Sequence, residues 1–514
     1  MTESHFVEVV TAAGAIRGAR SGPVKTFLGV PYGADTGGAN RYRPPQPVTP
    51  WDGVRDALVP GHICPQVPPL QSMALRPDIL AAIAAGYETI EGGAPEAENL
   101  GEDCLNLNVW SPAAAQAGAG LPVMVWIHGG ATMAGSANLK RWEGRNLAAR
   151  GDVVVVAPNH RLGSFGFAHL GALSDDPSVA TAGVNGMLDL IQALEWVREN
   201  IAAFGGDPEC VTIFGTSGGG FKMSVLLGMP AANGLYHRAI VQSGFTDGAD
   251  PEASGKLAQR WLDLLQIEAG DLDALRAAPY ADIIDVQQQM GGMSAGFAPV
   301  IDGRHLPEPA TASIAAGRTG RVPLIAGYTQ EEAATFLALT PGYGTFGWDA
   351  LPAMLGPVLG DRAEAAVAVY RKARPQADPT QVWVGIMSDS MFGRLGQKLL
   401  TAHAGKPWAP TWAYLSTWVS SVLPDNYAAH GNEDVFFFDN VAVTPVTRDT
   451  EGAAELGRLL SEAWVTFART GDPNHAGLPQ WPRFDPKERA TIIFDTPIRV
   501  ARDPHAAERG FWGA

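Results

Sequence analysis

The stretch Cys210–Met223, CVTIFGTSGGGFKM, sets Ser217 between an apolar run and three consecutive glycines. The run Val211–Phe214 reads as a buried strand, and Phe221–Met229 continues with helix formers, so Ser217 falls on a strand-to-helix bend. Such a bend holds its serine in a strained backbone that only small neighbours permit, and Gly215 and Gly219 are those neighbours. Glycine inside a helix costs about 1 kcal/mol relative to alanine, so GGG argues for close backbone approach rather than for a plain structural helix. Unpaired N–H groups at the helix start point towards the serine, and Gly218 supplies the nearest one. A second match to the same pattern, GMSAG around Ser294, has no apolar strand before it and no helix pattern after it, and reads as a loop.

Outward from this bend, apolar runs recur at Pro122 (PVMVWI), Val153 (VVVVA), Ala239 (AIVQ), Val322 (VPLIA) and Thr411 (TWAYL). Runs without alternation suit parallel strands covered on both faces. Helical patterns lie between them, the clearest from Asn185 to Ile201, where Leu190, Leu194, Val197 and Ile201 make one apolar stripe. Alternating strands and helices predict an α/β fold with a large, mostly parallel central sheet flanked by helices. No linker or repeat divides the chain, so residues 1–514 read as a single catalytic domain. Two segments, about 66–99 and about 337–404, interrupt the strand rhythm and are expected to cover the pocket at the carboxyl ends of the strands. The glycines of GAGLPVMVW precede their strand, whereas a dinucleotide cradle needs them after it.

The 514 residues carry 37 Lys and Arg against 53 Asp and Glu, a formal charge of -16 that disfavours nucleic acid and anionic lipid as partners. The opening MTESHFVEVV lacks the basic region and long apolar core of a signal peptide, and no run is long enough to span a bilayer. The expectation is a cytoplasmic protein, a monomer or small homo-oligomer, acting on a small molecule. Cys64, Cys104 and Cys210 are too few and too scattered for a disulfide framework. No clustered ligand spacing calls for a metal, and the chemistry below needs no cofactor.

A serine hydroxyl is a weak nucleophile until a positioned base takes its proton, and the base needs an acid to orient it. Eleven histidines are available; an order of serine, acid, histidine favours His403, His430, His475 and His505. For the acid, VPLIAGYTQEE offers Glu331 or Glu332 after a strand.

Several motifs in one order, FLGVPYG, EDCLNLNVW, PVMVWIHGG, NHRLGSFGF, FGTSGGG, VQSG, AGYTQEEAATF, AAHGNEDVFF and WVTFARTGDPN, resemble those of the type B carboxylesterases, which include bacterial para-nitrobenzyl esterases and cholinesterases. The resemblance implies an α/β-hydrolase fold and hydrolysis of carboxylic esters through an acyl-enzyme. It implies Ser217 as nucleophile, Glu332 as acid and His430 as base, with Glu331 an exposed neighbour and the other late histidines on the surface. The amides of Gly130, Ala131 and Gly218 would form the oxyanion hole. Thr216 stands where relatives carry glutamate, and Ser243 matches a serine that bonds the acid in relatives; from the sequence, a locally satisfied hydroxyl reads equally well.

The chain departs from this family at Ala131 and Thr132, where relatives carry a third glycine and an aromatic, and at Gly218, where alanine is usual. If position 131 needs a positive φ, Ala131 is strained, and losing the aromatic reshapes the acyl side of the pocket. Thr132, Met133, Trp348, Met391 and Phe392 are the candidate pocket residues. Cys64 and Cys104 match positions that pair as a disulfide in many relatives, whereas a cytoplasmic location would favour free thiols, and Cys210 reads as a buried structural thiol. The same three catalytic groups would serve amides, carbamates or thioesters. A non-catalytic, cholinesterase-like binding module is the reading from another class, and it expects a broken triad.

Overall fold

The computed structural model describes residues 5–67, 88–90, 99–338, 340, 342–406, 408–422 and 427–513. Its centre is one mixed sheet of thirteen strands among the described residues. The first five are β1 (His5–Thr11), β2 (Gly14–Ser21), β3 (Val24–Pro31), β4 (Val54–Asp56) and β5 (Asn106–Pro112). Then follow β6 (Leu121–Ile127), β7 (Val154–Pro158), β8 (Gly206–Thr216), β9 (Arg238–Gln242) and β10 (Leu324–Thr329). The last three are β11 (Thr411–Ser416), β12 (Ala490–Phe494) and β13 (Arg499–Arg502). Their order is β1-β2-β3-β5-β7-β6-β8-β9-β10-β11-β12-β13, with β4 beside β2. From β7 to β12 every neighbouring pair is parallel. Antiparallel strands extend both flanks of this core.

The continuous apolar runs follow from burial on both faces. Along β6, Val123, Val125 and Ile127 enter one core while Met124 and Trp126 enter the other. Alternation of side chains across a strand makes both faces apolar when both are covered. Helix α1 (Asn185–Asn200) lays Leu190, Leu194 and Val197 on the first face. Helix Ala453–Thr470 lays Leu456, Leu460, Trp464 and Phe467 on the second. All six strands expected from the apolar runs are present, and the structure adds seven. The additions are mostly flanking strands: β2, for instance, is only part-buried and shows no continuous apolar run.

Helix α2 (Gly218–Leu226) follows β8 with Ser217 alone between them. Helices Leu351–Leu359, Ala363–Ala373 and Pro379–Ser388, within the second interrupting segment, pack around their own core of Leu351, Leu355, Tyr370 and Trp383. Most of the 66–99 segment lies outside the described residues.

Candidate active site

Four adjacent parallel strands deliver the site. Ser217 follows β8, Ser243 follows β9, Glu332 lies three residues past β10, and His430 lies on the connection leaving β11. Gly130 and Ala131 follow β6, on the other side of β8.

Ser217 adopts φ 56° and ψ -122°, the strained bend expected from the sequence. Packing holds it there. A Cβ on Gly219 would sit 2.0 Å from the carbonyl oxygen of Ile127, and one on Gly244 would sit 1.9 Å from that of Ser217. The Ser217 amide donates to the Gln242 carbonyl at 2.9 Å. Strain of this kind costs on the order of 1–3 kcal/mol and persists only where the surroundings over-determine it.

Ser217 Oγ lies 2.7 Å from Nε2 of His430, and Nδ1 of the same ring is hydrogen-bonded to Oε2 of Glu332. Glu332 is fully buried, and its other oxygen accepts from the Thr329 amide at 2.8 Å. The next amide, Ala333, donates to Ser388 Oγ at 2.9 Å, fixing the turn that carries the carboxylate. His430 sits in a loop held by three residues outside it, Arg141, Thr335 and Glu331. Arg141 Nη2 donates to the Gly431 carbonyl at 2.7 Å and to Asp434 at 2.6 Å, Thr335 Oγ1 donates to the His430 carbonyl at 3.3 Å, and the Ala428 amide donates to Glu331 Oε2 at 3.2 Å.

Beside Ser217, the amides of Gly130, Ala131 and Gly218 have no hydrogen-bond acceptor among the described residues. Ala131 has φ 53°, so the positive φ anticipated for this position is present on a residue with a Cβ. A Cβ on Gly218 would sit 1.8 Å from the Ala131 carbonyl oxygen, so this loop admits only glycine at 218.

Several expectations are corrected. Glu331 is buried rather than exposed, its carboxyl pushed up by burial while Arg374 lies 3.7 Å away. His403 is buried and bonded to Thr411 and the Gly320 carbonyl; it is no surface residue. Ser243 donates to Glu433 at 3.4 Å, not to Glu332. Cys64 and Cys104 are free thiols, with Cys104 pushed up by its hydrogen bond to Cys64 and by burial. Cys210 is half-buried, with Arg238 Nη1 3.2 Å from its sulfur.

The candidate pocket residues part company. Phe392 reaches the site, its ring centroid 5.0 Å from that of His430. Met133 is buried in the core, Met391 is exposed, and Trp348 packs beside the separate helical core. The Thr132 hydroxyl is bonded to the Phe297 carbonyl, which turns this side chain away from free hydrogen bonding. Thr216 is buried, and its hydroxyl has no partner among the described residues.

Sequence reasoning missed four residues. Phe221 stacks on Phe392 at 6.4 Å, and Phe336 lies 5.1 Å from the His430 ring; both are aromatics within the quoted stretches CVTIFGTSGGGFKM and AGYTQEEAATF. Glu433, three residues after His430, is fully buried, accepts from Tyr414 at 2.7 Å, and is pushed up to about 8 by burial and then by Glu332. Lys222, a charge inside an apolar helix pattern, is buried as well.

A parallel sheet with a serine at a strained strand-to-helix bend, a histidine and a carboxylate past neighbouring strands defines an α/β hydrolase. A profile described as "Carboxylesterase family" matches residues 5–512. The para-nitrobenzyl esterase of Bacillus subtilis is 34% identical over 511 residues, covering 98% of this chain and 97% of that one. The human cocaine esterase is 32% identical, covering 99% and 90%. Among solved structures, a Geobacillus stearothermophilus carboxylesterase superposes with a TM-score of 0.84 at 33% identity, covering 98% and 99%. The chain belongs to the carboxylesterase family and is a carboxylic ester hydrolase. None of the described helices is long and apolar enough to cross a membrane.

Proposed function

We propose that the chain hydrolyses carboxylic esters of small molecules through an acyl-enzyme formed on Ser217. What carries this reading is the unbroken line from Ser217 Oγ through His430 to the buried Glu332, beside three amides with no acceptor among the described residues. His430 Nε2 takes the hydroxyl proton as Oγ attacks the ester carbonyl, and Glu332 holds the ring tautomer and balances the imidazolium. The amides of Gly130, Ala131 and Gly218 receive the oxyanion, and loss of one such donor typically costs about 2.7–4 kcal/mol. The C–O bond of the ester breaks as His430 returns the proton to the departing alkoxide. Water then gives His430 a proton as it attacks the acyl carbon, and collapse frees the acid and restores the Ser217 hydroxyl.

Phe221, Phe336 and Phe392 form an apolar wall against His430, suited to an apolar substrate group. Thr216 and Ser243 tune the surroundings without touching substrate. The free thiols of Cys64 and Cys104 fit a reducing, cytoplasmic setting. Turnover of a matched ester, amide and carbamate by the wild type and by Ser217→Ala tests the proposal. We expect the ester to be preferred and the variant to lose roughly 10⁴-fold or more in kcat. Preference for the amide, or an active Ser217→Ala, would overturn it.

A further inference from the structure

We propose that Lys222 is a positioning residue for the oxyanion loop: through His160 and His128 it fixes the peptide that carries the Gly130 amide, and its charge adds to the field that receives the oxyanion. This rests on the assignment of the oxyanion donors above.

Lys222 lies on α2, five residues after Ser217, with its side chain fully buried. Its Nζ is 3.0 Å from Nε2 of His160. A lysine head group donates, so His160 presents a lone pair at Nε2 and carries its own proton on Nδ1. The His160 ring stacks on His128, centroids 4.6 Å apart and planes 29° from parallel. His128 Nδ1 in turn donates to the Gly129 carbonyl at 2.9 Å. That carbonyl and the Gly130 amide belong to one planar trans peptide, so fixing the oxygen on one side aims the N–H to the other. Gly135 closes the remaining space, since a Cβ there would meet the Gly129 oxygen at 2.1 Å and His128 Nδ1 at 2.5 Å.

Among the described residues no carboxylate answers the charge. The titratable groups acting on this cluster are Lys222, His160 and His128 themselves. Burial, followed by Lys222, holds both imidazoles well below their ordinary range, and burial brings Lys222 down to about 7. An ammonium left uncompensated in the resting enzyme finds its counter-charge only when the carbonyl oxygen becomes negative. An interaction stronger in the transition state than in the ground state raises kcat rather than lowering KM.

The test compares Lys222→Met and Lys222→Gln with the wild type across pH, reading kcat, KM and thermal midpoint. In the wild type, kcat should fall as pH rises through about 7, where the charge is lost. Both variants should lack that limb, with kcat about 10–100-fold lower below it, the usual cost of removing such a support, and KM within about twofold. Lys222→Met should not be less stable than the wild type, because it removes a buried charge rather than an ion pair. Its advantage should be largest below pH 7 and should fade towards 10.5, where the unfolded lysine also loses its proton. A purely structural lysine would lower the midpoint and leave the pH profile alone; that outcome, or wild-type kcat in both variants, overturns the proposal. Should Ser217→Ala keep full activity, the ester mechanism fails first; should Ser217→Ala be dead and Lys222→Met fully active, this inference alone fails.

Discussion

Ala131 presents its amide to the site from φ 53°, a conformation that costs an L-residue roughly 1–2 kcal/mol. Glycine would remove that strain and return roughly 0.4–1 kcal/mol of it as unfolded-chain entropy. Ala131→Gly is therefore expected to stabilise the protein by about 0.5–1 kcal/mol in denaturant titration, with kcat changed by less than about tenfold. Gly218→Ala should do the reverse, because its methyl would lie 1.8 Å from the Ala131 oxygen and push the loop off its mark. We expect a loss of about 10²-fold or more in kcat, of the order seen when one oxyanion donor is removed. Ser217 was legible because strand, glycines and helix leave a local trace; Glu332 was fixed against Glu331 only by family resemblance, since two adjacent acids look alike without knowing which turns towards His430.

At the level of elements, β6, β8 and α2 meet so closely that backbone packs on backbone. A methyl on Gly219, 2.0 Å from the Ile127 oxygen, cannot be absorbed by a rotamer change. Gly219→Ala should cost about 3 kcal/mol or more in urea unfolding, at or above the upper end for overpacking. The described residues around His430 form a single β-bridge, Ala429 with Glu331, and depend on Arg141, Thr335 and Glu331 from other elements. Glu331→Ala removes an acceptor from the Ala428 amide and is expected to lower kcat and loosen the loop, read as faster proteolysis or hydrogen exchange there. Glu331 and His403 were misread as surface groups for one reason: their partners, Ala428 and Arg374, Thr411 and Gly320, are distant in sequence or engaged through backbone atoms, so no local pattern announces burial. Six of the seven strands of the parallel core showed in the sequence as apolar runs; the part-buried, weakly patterned β1, β2 and β13 did not, and neither did the buried β12 nor the buried β5, whose apolar run is broken by Asn106, Asn108 and Ser111.

Across the whole molecule, buried ionisable groups give the fold a definite response to pH. Glu433 keeps its proton up to about 8, whereas an ordinary glutamate releases it near 4.5. Between those values the native state binds more protons than the unfolded one, so stability from this group falls as pH rises. Glu433→Gln should flatten that decline: its thermal midpoint relative to wild type should climb from about pH 5 to pH 9. Lys222 contributes the opposite slope above about pH 7, where the unfolded chain holds the proton that the native state has lost. Neither group was legible as a titration site, because burial is a property of the folded layers and not of the residues beside them. The central claim is that Ser217 is the atom acylated. The most direct measurement is intact and peptide mass after treatment with a nitrophenyl phosphonate. We predict one adduct per chain, on Ser217, with activity lost in proportion; no adduct, or an adduct on Ser294 with activity intact at Ser217→Ala, would contradict it.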